Sequence, residues 1–142
     1  MNLFADQSRE QLRAAYCEAW RKWQGRLPLQ PYEMQLAEVI EQHPEYHALL
    51  QNPQSLSQDY PIESAGSNPF LHFALHVALR EQISTDRPRG IAVLHRQLTV
   101  RLGSAHEAEH RMQEVLAEML WEAQRGARTP DEQEYLQRLR RL

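Results

Sequence analysis

Apolar positions in this chain recur at three- and four-residue spacing through most of its length, and the segments that carry the recurrence predict helices. From Ser8, "SREQLRAAYCEAWRKW" opens with Ser8 and Gln11 in capping-box register and puts Leu12, Ala15, Tyr16, Ala19, Trp20 and Trp23 on one stripe. "GRLPLQP" interrupts it, and "YEMQLAEVIEQH" resumes the spacing through Leu36, Val39, Ile40 and His43. Pro44 suits the first turn of a short piece, "PEYHALLQ". The longest irregular stretch is "NPQSLSQDYPIESAGSNP", read as a surface connection.

Asn68 and Pro69 then form a strong helix start, followed by "FLHFALHVALREQI", which is apolar on nearly every face until Arg80 and so belongs in a core. Ile91, Leu94, Leu98 and Leu102 make the next stripe, which Gly103 ends. Ser104 and Glu107 fit a capping box for "AHEAEHRMQEVLAEMLWEAQR", with Met112, Val115, Leu116, Met119 and Ala123 as its core face. In "TPDEQEYLQRLRRL", Thr129 is expected to cap and Pro130 to open a last helix, acids leading and arginines trailing. No segment alternates convincingly as a strand. The expected fold is all-α, a single-domain bundle of about five to six helices over residues 1–142.

Composition narrows the function. The chain has 142 residues, 42% of them hydrophobic, with a formal net charge of −3, enough for one sizeable core. No secretory leader and no membrane-length apolar run is evident, so a cytoplasmic protein is expected, with no membrane partner. Cys17 is the one cysteine, which excludes an internal disulfide and a thiolate-rich zinc site. Cys17 reads as a small hydrophobe, and Trp20, Trp23 and Trp121 as core or interface residues. The arginines are scattered among acids apart from Arg138, Arg140 and Arg141, which argues against nucleic acid. Another protein, or a second copy of the chain, remains a candidate partner. Asp86, Arg87 and Arg89 in "TDRPRG" read as a capped turn rather than an anion site.

The histidines change the picture. Six of the seven fall in pairs four residues apart: His43 with His47, His72 with His76, and His106 with His110. Random placement would give about 0.3 of such a pair, by counting matches to the template. On a helix, i and i+4 share a face, and two imidazoles so placed can hold one metal ion. Pro44 interrupts the first pair, so His43 also reads as a cap of the short helix. Projection puts Glu109 on the apolar flank of its helix, where a carboxylate needs a partner or a metal, and Glu107 on the charged face. His95 reads as a surface residue. The metal-site candidates are His72, His76, His106 and His110, then His47 and Glu109, with zinc, iron, nickel or manganese as the ion.

"HEAEH" also matches H-E-x-x-H, the zinc-peptidase spelling in which Glu107 would be the general base, though no H-x-x-G-x-x-H extension follows. Three function classes therefore stand: a metal-binding helical protein, a non-enzymatic interaction module with structural histidines, and a small metal-dependent hydrolase. One histidine or histidine pair per helix resembles, in arrangement, the hemerythrin-like and DinB-like metal bundles. "NPFLHFALHVALREQISTDRPRGI" and "HEAEHRMQEVLAEMLWEAQR", preceded by "HPEYH", resemble an uncharacterised proteobacterial family known only as a domain of unknown function. That resemblance implies a small bacterial protein and supplies no activity.

Overall fold

The computed structural model describes residues 9–56 and 68–142. Seven α-helices occur among the described residues: α1 Arg9–Gln24, α2 Pro31–Glu41, α3 His47–Leu50, α4 Pro69–Thr85, α5 Ile91–Leu102, α6 Ala105–Arg125 and α7 Glu132–Arg140. No strand occurs among them. The all-α expectation holds, but five to six helices undercounts by the four-residue α3. Pro44 breaks the chain after α2, residues Pro44–Tyr46 form a 3₁₀ turn, and α3 follows as a separate turn of helix. The chain divides into two compact units, Met1–Phe73 and Ala74–Leu142, with the boundary inside the sequence of α4.

In the first unit α1 packs along α2, and α3 and the 3₁₀ turn Pro53–Leu56 rest on α1. That turn begins the stretch expected to be irregular, whose residues 57–67 lie outside the described residues, as does the Ser8 cap. Ala19, Trp20, Leu36, Ala37, Val39 and Ile40 are buried at the α1–α2 contact. The expected stripe of α1 holds at Ala19 and Trp20 and departs at its start, where Leu12 is exposed and Arg13 is buried. Arg13 is tolerated there because its Nη1 donates to the Ser55 carbonyl at 3.4 Å and its guanidinium lies 5.1 Å from the Phe70 ring centroid. α2 starts one residue before its expected beginning, at Pro31. The Gln30 backbone N–H donates to Glu33 Oε1 at 2.9 Å, and Lys22 Nζ donates to Glu33 Oε2 at 2.8 Å. Both oxygens of this buried carboxylate are thereby satisfied.

In the second unit α5 packs along α6, and α7 covers both. The expected core face of α6 is buried at Met112, Val115, Leu116, Met119 and Ala123, while Trp121 stands exposed with the Arg125 guanidinium 4.5 Å above its ring. Ser104 Oγ accepts from the Glu107 backbone N–H at 3.1 Å, which places the α6 N-terminus as expected. Asp86 Oδ1 accepts from the Gly90 and Ala92 backbone N–H groups, so "TDRPRG" is the capped turn foreseen. Tyr135, Leu136 and Leu139 are buried, so α7 packs on its own unit.

The cap of α7 differs from expectation. Asp131, not Thr129, caps it: Asp131 Oδ1 accepts from the Gln133 and Glu134 backbone N–H groups. A carboxylate at this position satisfies two orphan amides and adds charge at the positive end of the helix dipole, which a threonine hydroxyl does not. Asp131→Ala is expected to lower stability by about 1 kcal/mol. Urea unfolding checks it, and an unchanged midpoint would return the cap to Thr129.

Candidate metal centre

The first unit presents His43 and His72. His43 follows α2 three residues after Ile40, on the same apolar stripe, and is fully buried. Its Nδ1–H donates to the Val39 carbonyl at 2.6 Å, one of the orphan acceptors at the end of α2. A carbonyl only accepts, so Nδ1 carries the proton and Nε2 the lone pair. That Nε2 faces His72 Nε2, from the second turn of α4, at 2.8 Å. Aromatic rings enclose the pair. Phe73 lies edge-on to His43 at 5.8 Å, and Tyr46 edge-on to His72 at 5.8 Å.

Two imidazole nitrogens at this separation must share something electropositive. A proton suffices, donated by His72 to His43. A metal ion suffices equally: with metal–nitrogen bonds of about 2.0–2.1 Å, ligands at right angles stand about 2.9 Å apart and tetrahedral ones about 3.4 Å.

His47 stands elsewhere in the first unit. Its Nε2–H donates to the Ile40 carbonyl at 2.8 Å, and its ring lies 4.3 Å from that of Trp20. His43 and His47 thus satisfy two successive carbonyls at the C-terminus of α2. Pro44 turns the chain so that the pair does not share a helical face.

In the second unit, His76 on α4 meets His106 and His110 on α6. Ring centroids are 5.8 Å apart for His76 and His106, 5.7 Å for His76 and His110, and 4.1 Å for His106 and His110. Ligand-capable nitrogens of His76 and His110 lie within 4.8 Å of each other. His76 is fully buried, His106 and His110 partly so.

Glu109 lies behind His76. Its Oε1 accepts from His76 Nε2–H at 2.9 Å and from Arg80 Nε–H at 3.0 Å, and its Oε2 accepts from His95 Nε2–H at 3.1 Å. Burial alone would raise the Glu109 pKa, but the bonds from His76, His95 and Arg80 outweigh it and hold the carboxyl well below its usual range. His76 is shifted the other way from a usual ion-pair partner: burial, first, and the Arg80 charge lower its pKa despite Glu109, so its neutral form is favoured.

His95 is therefore no surface residue, and the expectation for it is corrected. The signal was present: Ile91, His95 and Leu98 fall at spacings of four and three, and Ile91 and Leu98 are both buried. Arg80, four residues after His76 on α4, also belongs to this group and went unmarked, because a lone arginine at the end of an apolar run reads as a solvated helix end.

Glu107 lies on the outer face of α6, its side chain 52% exposed and paired with Arg111 at 3.4 Å. Its carboxylate is thus exposed and engaged with an arginine, which does not favour a role as general base at the imidazoles. The H-E-x-x-H reading required that role. Glu107→Gln is expected to change stability by less than about 0.5 kcal/mol, as for an exposed residue, in a urea titration; a larger loss would mean that its carboxylate is engaged elsewhere.

The profile of a family described as "Domain of unknown function (DUF1841)" matches residues 8–141. The chain belongs to the DUF1841 family. No curated protein and no solved structure matches it. Every histidine of this DUF1841 chain falls within the family segment, and no described helix is long and apolar enough to cross a membrane.

Proposed function

We propose that this chain binds a transition-metal ion through the imidazoles of its clustered histidines, His43 and His72 in the first unit and His76 and His110 in the second. The observation that carries the reading is the 2.8 Å approach of His43 Nε2 to His72 Nε2. Imidazole nitrogens held this close have a separation that two ligands of one metal ion would have. The depressed pKa of His76 supports the same reading, since only a neutral imidazole has a lone pair to give a metal. Zinc, iron and nickel suit imidazole donors.

A second reading has an observation of its own. His43 and His47 satisfy carbonyls at the end of α2, as structural histidines do. On that reading the chain is an interaction module, and the His43–His72 contact is held by a proton.

Calorimetric titration of chelator-stripped, tag-free protein with zinc and with nickel separates the two. Metal binding predicts saturable uptake that His72→Ala and His76→Ala each weaken by at least about 10-fold, as loss of one ligand does, while His47→Ala leaves it intact. No uptake by the folded wild type, or equal loss in all three variants, would favour structural histidines.

A further inference from the structure

Glu109 looks at first like a ligand, since an acid among histidines is a familiar metal donor set. Its geometry argues for another role. Both of its oxygens are already engaged: Oε1 by His76 and Arg80, Oε2 by His95. Arg80 donates always, so Oε1 is an acceptor, and His76 must present Nε2–H to it. A neutral His76 protonated at Nε2 has its single lone pair on Nδ1. The carboxylate thus fixes both which nitrogen of His76 is able to ligate and the direction in which it points.

We infer that Glu109 is a positioning residue for the metal centre, acting behind His76 so that His76 ligates through Nδ1, with Arg80 and His95 holding the carboxylate in place. Its charge makes the imidazole a stronger donor, as carboxylate–histidine–metal arrays do. The Arg80 guanidinium balances the buried negative charge, and the bond from His95 engages the second oxygen of the carboxylate. The mirror arrangement occurs at His43, where the Val39 carbonyl takes the Nδ1 proton and leaves Nε2 as donor. This inference rests on the metal-binding reading.

The test uses full-length protein, wild type and Glu109→Gln, with two readouts. In the metal-free wild type, ¹⁵N NMR of the imidazoles should show His76 protonated at Nε2 and unprotonated at Nδ1. In zinc titrations Glu109→Gln, which keeps an acceptor oxygen but loses the charge, should bind about 10-fold more weakly with an unchanged helical spectrum. Nδ1 protonation in the wild type, or zinc affinity unchanged by Glu109→Gln, overturns the role given to Glu109 while leaving metal binding standing. Failure of the wild type to take up zinc, nickel or iron removes the metal reading itself and this inference with it. The His76 measurement requires no metal, so it decides the tautomer even if the Gln variant fails to fold.

Discussion

Replacing Glu109 with alanine is expected to destabilise the protein by about 3 kcal/mol, the lower end of the cost of breaking a buried ionic group from one side. The carboxylate accepts three hydrogen bonds, from His76, Arg80 and His95, and its side chain is 8% exposed. Alanine leaves a fully buried imidazole and a partly buried guanidinium without this acceptor, and desolvated donors are costly. Arg80 is 28% exposed and recovers some solvation, which is why the lower end applies.

The same network predicts an acid sensitivity. Glu109 has a folded-state pKa below its unfolded value, so its contribution is fully present above the usual carboxylate range and is lost as pH falls below it. His76 is also depressed; its neutral form is favoured in the fold, so stability declines as pH falls below the usual histidine range. Urea midpoints measured from neutral to acidic pH should fall in the wild type, and fall less steeply in Glu109→Ala. Parallel curves would mean that this carboxylate does not carry the acid response.

Phe73→Ala should be comparably severe, about 3–5 kcal/mol, as for a large buried aromatic removed from a packed core. Phe73 is fully buried in the first unit, stacked on Tyr16 at 5.7 Å and edge-on to Tyr46 at 5.6 Å and His43 at 5.8 Å. It follows His72 in sequence, and its ring forms a wall of the His43 pocket. The truncation therefore removes aromatic contacts and also loosens the imidazole whose Nε2 faces His72. Chemical denaturation gives the stability loss. A cost near 1 kcal/mol would show that the neighbouring rings collapse into the space, a behaviour close-packed aromatics rarely allow.

Helix positions were legible where local chemistry decides them. Asn68 caps α4 through its side chain, accepting from the Leu71 N–H at 3.2 Å, with Pro69 in the first turn as expected. Gly103, at a φ of 73°, ends α5, a conformation that an L side chain adopts only under strain. The α7 cap was misplaced because Thr129 and Asp131 flank Pro130 and both are cap residues; the choice depends on which carbonyl and amide groups the turn presents. The burial of Arg13 at the start of α1 was not legible, because it depends on the Ser55 carbonyl, 42 residues away.

The pairing of histidines pointed to His72, His76, His106 and His110, because i, i+4 spacing is a local rule. The partners were less visible. His43 reads both as the continuation of the α2 stripe and as a cap, and the structure has it as both, buried after α2 and N-cap residue of the Pro44–Tyr46 turn. Glu109 was marked as needing a partner, but its partners come from two other helices, α4 and α5, and no spacing rule within α6 reveals them. A carboxylate on an apolar flank announces that something meets it without saying whether that is a metal or an arginine.

The central claim is that the imidazoles of α4 and their neighbours hold a metal. Its most direct test is elemental analysis of protein purified without a histidine tag, beside a variant with His43, His72, His76 and His110 changed to alanine. A near-stoichiometric transition metal is expected in the wild type, absent from the variant while the helical spectrum is kept. A folded wild type that carries no metal, and takes up none when zinc, nickel or iron is offered, would contradict it.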